Sequence, residues 1–86
     1  MTDPSGTSSD AAFAAAQAEF GRRVREVRQA QSKSLEALAE GSSLHWSNVA
    51  RIERGQGNVT LRSLLRLADA LGVDAGSLVA GLETDV

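Results

Sequence analysis

The chain has no cysteine and no tyrosine, a single proline, a single histidine, and only three aromatic residues, Phe13, Phe20 and Trp46, among 86. Each scarcity removes a class of function. Without cysteine there are no disulfides and no thiolate chemistry. One histidine and scattered carboxylates do not make a metal site, so no metal and no cofactor are expected. No apolar run approaches the roughly 20 residues of a membrane span, so no membrane partner is expected. The opening "MTDPSGTSSD" lacks the basic start and apolar core of a signal peptide, which places the expected location in the cytoplasm. No nucleophile, acid–base pair or phosphate-cradling loop is arranged, so no catalytic residue is assigned and an enzyme is not expected. No small-molecule ligand is evident either. The length suggests one small domain. Such a chain buries only about 60% of its unfolded surface, so its core is thin and can lean on a partner subunit.

What is present is unevenly placed. The net charge is −2, yet all nine basic residues lie between Arg22 and Arg66. Only Glu26, Glu36, Glu40 and Glu53 share that span, nine bases against four acids, or +5. Asp3, Asp10, Glu19, Asp69, Asp74, Glu83 and Asp85 sit towards the ends. Such asymmetry points to an anionic partner for the middle of the chain, with a merely solvated surface as the plainer reading.

The pattern along the chain is helical throughout, with no strand alternation and no internal repeat. Residues 1–9, rich in Ser, Thr and Gly, read as a flexible tail, and residues 10–82 as a single domain. Asp10 can cap a first helix over about 10–31, where Phe13, Phe20, Val24 and Val27 share one stripe. Gly21 inside it costs about 1 kcal/mol relative to Ala and so suggests close packing against a neighbour. Ser34 is a candidate N-cap for a second helix, about 35–41, with Leu35, Leu38 and Ala39 on its apolar face. A third helix spans about 46–54 and ends at Gly55. Thr60 can cap a fourth, about 61–71, with Leu61, Leu64, Leu65, Leu67, Ala68 and Leu71 expected in the core and Gly72 closing it. Asp74 can cap a short fifth, about 75–81. The expected fold is all-α, with five helices.

The third helix has two faces. Val49 and Ile52 point one way, with Leu44 just upstream. Ser47, Arg51 and Arg54 lie within an arc of about 60° on the other side, flanked by Asn48. That face carries no acid. Arg matches guanine bidentately, Asn matches adenine, and Ser serves several bases. The second helix precedes it across a short turn of small residues, the layout of a helix-turn-helix whose second helix enters the major groove.

Glu53 lies about 40° from Val49, near the core side. A half-buried carboxylate needs a cationic partner, and Arg28 on the first helix is the best candidate for a structural salt bridge. Trp46 lies about 60° from Val49 and can either cover the core edge or reach a base from the start of the helix. His45 reads as a cap residue rather than a ligand or base.

Taken together, "LA" at Leu38–Ala39, Leu44, Val49, Ile52, "ERG" at Glu53–Gly55 and "ADALGV" at Ala68–Val73 resemble the Cro/lambda-repressor-type helix-turn-helix proteins, the xenobiotic-response-element family. "FGRRVREVR", Phe20–Arg28, looks like that family's first helix. "RIERGQGNVTLRSLLRLADALGV" is most like the controller proteins of restriction–modification systems. The resemblance implies a lambda-repressor-like domain in which Trp46, Ser47, Asn48 and Arg51 contact bases. It implies phosphate contacts at Ser34, Leu35, Gly57, Asn58, Val59 and Arg62, to which Arg54 is added from the exposed face of the third helix. It also implies pairing of Arg28 with Glu53. The chain departs from the family at Leu35, where many members have Gln, at Ser42, usually apolar, and at His45, usually Ser or Thr.

The expected function is a sequence-specific regulator of transcription that binds double-stranded DNA as a homodimer on inverted-repeat operators. Leu78, Val79 and Leu82 are the candidate dimer interface, and Phe13 with its Ala-rich helix can join it. The alternative is a protein-interaction module or antitoxin that keeps the fold without reading DNA.

Overall fold

A computed structural model describes residues 4–83, with side chains from residue 10 onward. Five helices follow one another: α1 (Pro4–Ala30), α2 (Leu35–Ser42), α3 (Trp46–Glu53), α4 (Leu61–Leu71) and α5 (Ala75–Val79). No strand occurs among the described residues.

Helix α1 starts earlier than the sequence suggests. The tail expected over residues 1–9 is helical from Pro4, and residues 1–3 lie outside the described residues. Proline suits the first helical turn, where its missing N–H has no partner to lose. Extending an existing helix adds one hydrogen bond per residue without a new nucleus, so the Ser/Thr/Gly stretch can follow the Ala-rich one. Asp10, expected to cap the helix, is therefore an exposed interior residue. The 27 residues of α1 extend the molecule to 49 Å along its longest axis.

Other boundaries are set by side chains that satisfy backbone ends. Ser34 caps α2 by accepting from the Ala37 N–H at 3.0 Å. Thr60 caps α4 through the Ser63 N–H, also at 3.0 Å. At the far end of α4, Lys33 Nζ donates to the Ala70 carbonyl and Gln31 Nε2 to that of Leu71, both at 2.7 Å. Helix α5 ends at Val79, two residues before the expected 81. Arg23 accounts for this stop: its guanidinium takes the Ala80 carbonyl at 2.7 Å and the Leu78 carbonyl at 3.3 Å. The chain then turns at Gly81, φ 77°.

The core is drawn from all five helices: Phe20 and Val24, Leu38 and Ala39, Val49 and Ile52, Leu67, Ala68 and Leu71, and Leu78. In α4 the buried positions 67, 68 and 71 follow the three-and-four spacing of one helical face. Leu61 and Leu65, expected in that core, lie a turn apart at the edge of that face, 70% and 51% exposed. Leu78, expected at a subunit interface, is 1% exposed within its own chain. It closes the core where α5 crosses α1 and α4, so it has no surface left for a partner. Phe13 continues the stripe of Phe20 and Val24 to the edge of the helical body, where it stays 44% exposed and lines an apolar groove with Leu61, Leu64 and Val79.

Candidate nucleic-acid interface

The link between α2 and α3 is a three-residue turn. Ser43 adopts the left-handed conformation, φ 59°, and its N–H returns to the Glu40 carbonyl at 3.2 Å. The Leu44 N–H returns to Ala39 at 3.0 Å, and the Leu44 side chain packs on the core. Ser42, the polar departure in α2, is buried, and its hydroxyl donates to the Leu38 carbonyl at 2.7 Å. Its polarity is thereby satisfied within the helix. His45 caps α3: its Nδ1 accepts from the Ser47 N–H at 3.2 Å and meets the Ser47 hydroxyl at 2.7 Å.

Helix α3 is fixed by its inner side. Val49, Ala50 and Ile52 are buried there. At its C-terminal end the backbone lies directly on α1 at Gly21. A Cβ on Gly21 would stand 2.8 Å from the Glu53 carbonyl oxygen and closer still to that of Ile52. Only glycine permits this approach. About two turns further along α1, Arg28 Nε and Nη2 donate to the two carboxylate oxygens of Glu53 at 2.7 and 2.9 Å. The third arm of Arg28 donates to the Lys33 carbonyl at 2.9 Å. The Glu53 side chain is only 6% exposed. Its hydrogen bonds raise the Arg28 guanidinium above its ordinary range.

The outer side of α3 presents Trp46, Asn48 and Arg51 to solvent, with Ser47 half-buried and Arg54, the C-cap, exposed. Trp46 is 55% exposed and its ring stacks on His45, centroids 6.1 Å apart. Of the two placements open to it, the core edge is therefore not the one it takes. Arg51, Arg54 and Arg62 are exposed and make no salt bridge to a described residue. Two exposed or half-buried cations of α1 differ. Arg22 is held between Glu19 at 2.8 Å and Glu26 at 2.6 Å, and Arg23 meets Glu19 at 2.9 Å. Three of the cations without a salt bridge to a described residue thus lie on α3, at its end and on the first turn of α4; Arg25, Lys33 and Arg66 are the others.

After α3 the chain makes a tight loop. Gly55 and Gly57 take positive φ of 76° and 73°, and the Gln56 N–H returns to the Arg51 carbonyl at 2.8 Å. The guanidinium of Arg51 lies across Gly57, whose missing Cβ would stand 3.4 Å from its Nη2. The loop then delivers Asn58, exposed, beside α3, and Arg62, exposed on the first turn of α4. Ser34 stands at the start of α2. The side chains of Leu35 and Val59 are half-buried against the core. The structure therefore gathers Trp46, Ser47, Asn48, Arg51, Arg54, Asn58 and Arg62 around α3. Val79 and Leu82 are elsewhere, in an apolar groove with Phe13, Leu61 and Leu64. The wheel argument overlooked two participants on α1, Gln17 and Ala18. Gln17 Nε2 donates to the Gly57 carbonyl, and Ala18 lies beneath Gly55. Their only sequence signal is a position about one turn before Gly21 on the same helix.

A family model described as a helix-turn-helix domain matches residues 19–82. The control protein C.BamHI of Bacillus amyloliquefaciens is 39% identical over 61 residues, covering 70% of this chain and 75% of that protein. The control protein C.SmaI of Serratia marcescens is 38% identical over 60 residues, covering 70% and 71%. Among solved structures, the restriction–modification controller protein C.AhdI from Aeromonas hydrophila superimposes with a TM-score of 0.73 at 45% identity, over 74% of this chain and 97% of that one. The clp gene regulator ClgR from C. glutamicum gives 0.69 at 25% identity, over 73% and 82%.

Proposed function

Because the chain belongs to the helix-turn-helix family of DNA-binding transcriptional regulators, with restriction–modification control proteins among its relatives, we propose that it reads an inverted-repeat operator as a homodimer. The observation that carries this reading is the acid-free outer face of α3, held rigidly from behind by Gly21 and the Arg28–Glu53 pair.

In this reading α3 lies in the major groove. Arg51 donates bidentately to guanine, Asn48 pairs with adenine, and Ser47 completes the polar contacts. Trp46, exposed at the N-terminal end, packs on a thymine methyl or a sugar. Around them Arg54 and Arg62 supply charge to phosphates. The backbones of Gly57, Asn58 and Val59, and of Ser34 and Leu35 at the start of α2, supply N–H donors. Phosphate contacts give most of the affinity and set the register; base edges give the choice of sequence.

One copy presents one short helix, so two copies on half-sites about 34 Å apart are needed to read a long operator. The seam we propose is the apolar groove of Phe13, Leu61, Leu64, Val79 and Leu82, rather than Leu78. Within a restriction–modification type of role the protein acts by binding in the cytoplasm, not by catalysis. No helix among the described residues is long and apolar enough to cross a membrane.

The test is selection of bound sites from a random duplex pool, followed by anisotropy titrations across a range of salt. Enrichment of an inverted repeat, with log affinity falling linearly with log salt, supports the reading. No enriched sequence and no salt-dependent binding would leave the domain as a protein-interaction module.

A further inference from the structure

We propose that Gln17 is a positioning residue for DNA binding, and that the N-terminal part of α1 serves as a brace for the phosphate-facing loop. This rests on the reading of the Gly55–Val59 loop as a phosphate contact.

The family match begins at residue 19, yet α1 continues upstream to Pro4. That upstream part is in contact with the loop. Phe13, Ala16 and Gln17 line the groove floored by Val59, Thr60 and Leu61. Gln17 donates its side-chain amide to the Gly57 carbonyl. Ala18 lies so close under Gly55 that a Cβ there would come within 2.9 Å of the Ala18 Cα. Phe13, Gln17 and Gly21 are spaced four apart, so one face of α1 follows the chain from the end of α3 to the start of α4.

The loop needs such support. It contains two glycines at positive φ, and glycine loses more conformational freedom on ordering than any other residue. A loop free to move would lose that freedom on binding DNA, and affinity would fall. Gln17 fixes the Gly57 peptide by its carbonyl, which orients the following peptide N–H, that of Asn58, before DNA arrives. The amide touches no nucleic acid itself; it acts through the loop.

The experiment compares the full-length protein with its Gln17→Met variant, which keeps the size of the side chain and removes the donor. Titrations use the selected operator and a random duplex of equal length across a range of salt. Backbone order parameters are read by NMR at Gly57 and Asn58 in the DNA-free protein. One lost hydrogen bond in each subunit corresponds to a drop in affinity of about threefold to tenfold per half-site. The loss should be equal on both duplexes and the salt slope unchanged, because a backbone N–H neutralises no phosphate. Order parameters at the two loop amides should fall while the melting temperature changes little. A lowered melting temperature with unchanged loop order would mean a general weakening of the fold and overturns the brace. Unchanged affinity in the variant, with the parent binding normally, overturns the brace and leaves the DNA reading intact. Weaker binding with unchanged loop order parameters overturns it as well. If the parent itself binds no duplex, the DNA reading fails first, and the brace falls with it.

Discussion

Arg28 and Glu53, 25 residues apart, meet in a two-pronged ion pair at 2.7 and 2.9 Å that ties the last residue of α3 to α1. Both side chains are largely buried, 12% and 6% exposed. Removing one partner would leave the other charged and unmatched, at a cost of about 3–5 kcal/mol. Arg28→Met and Glu53→Met should each lower stability by that order, measured by urea unfolding. The double variant should recover much of the loss, because two apolar side chains no longer strand a charge. A double variant as unstable as the sum of the singles would show that the pair does not act as a unit.

The second fixed point of α3 is Gly21. A methyl group there would collide with the Ile52 and Glu53 carbonyls, which belong to backbone and cannot rotate aside. Gly21→Ala would normally stabilise a helix interior by about 1 kcal/mol. Here it should destabilise by about 1–3 kcal/mol, the usual cost of overpacking, and shift α3 away from α1. Thermal melts give the sign directly. A more stable variant would mean that the two helices are free to separate.

These two points also mark how far the sequence could be read. A helix-interior glycine and a carboxylate on the core side of a short amphipathic helix both speak through local pattern. The caps Ser34, Thr60 and Asp74 do so too, because a capping side chain acts within three residues of itself. What the pattern does not carry is how far along an apolar face the core extends. Leu61 and Leu65 look like core on composition alone, and only the packing of α4 against α2 and α5 leaves them at its edge. Leu78 was indistinguishable from its neighbours Val79 and Leu82 until the path of α5 was known. Contacts from a side chain to a distant backbone, such as Gln17 to Gly57 or Arg23 to Ala80, have no periodic signature at all.

Trp46 and Arg51 separate binding from folding. Trp46 is 55% exposed and Arg51 makes no salt bridge to a described residue. Surface substitutions of this kind usually change stability by within about 0.5 kcal/mol. Arg51→Ala and Trp46→Ala should therefore melt close to the parent. Arg51→Ala should lose about 1–3 kcal/mol of discrimination at one base pair of each half-site. Operator variants titrated against both proteins locate that base pair. If Arg51→Ala weakens all duplexes alike, the guanidinium serves phosphate and the base assignment for it is wrong.

The pH dependence of the fold should be visible at Glu19. Hydrogen bonds from Arg22 first, then Arg23, lower its carboxyl from 4.5 to about 2. A carboxylate whose folded value is depressed contributes stability above the unfolded value, and the contribution is lost as pH falls through the folded one. The window is therefore between pH 4.5 and about 2. The Glu19 side chain is 34% exposed and that of its partner Arg22 55%, so solvent screens the effect and it should be small. Its reach is longer than its strength, because Arg23 links Glu19 to the carbonyls that end α5. Glu19→Gln removes the charge while leaving an acceptor for the guanidinium. The melting-temperature difference between parent and variant should stay constant from neutral pH down to about 4.5, then shrink towards zero near pH 2. Other carboxylates titrate in the same range in both proteins, so the difference isolates this one. A difference that persists unchanged at pH 2 would mean that Glu19 acts through packing and not through its charge.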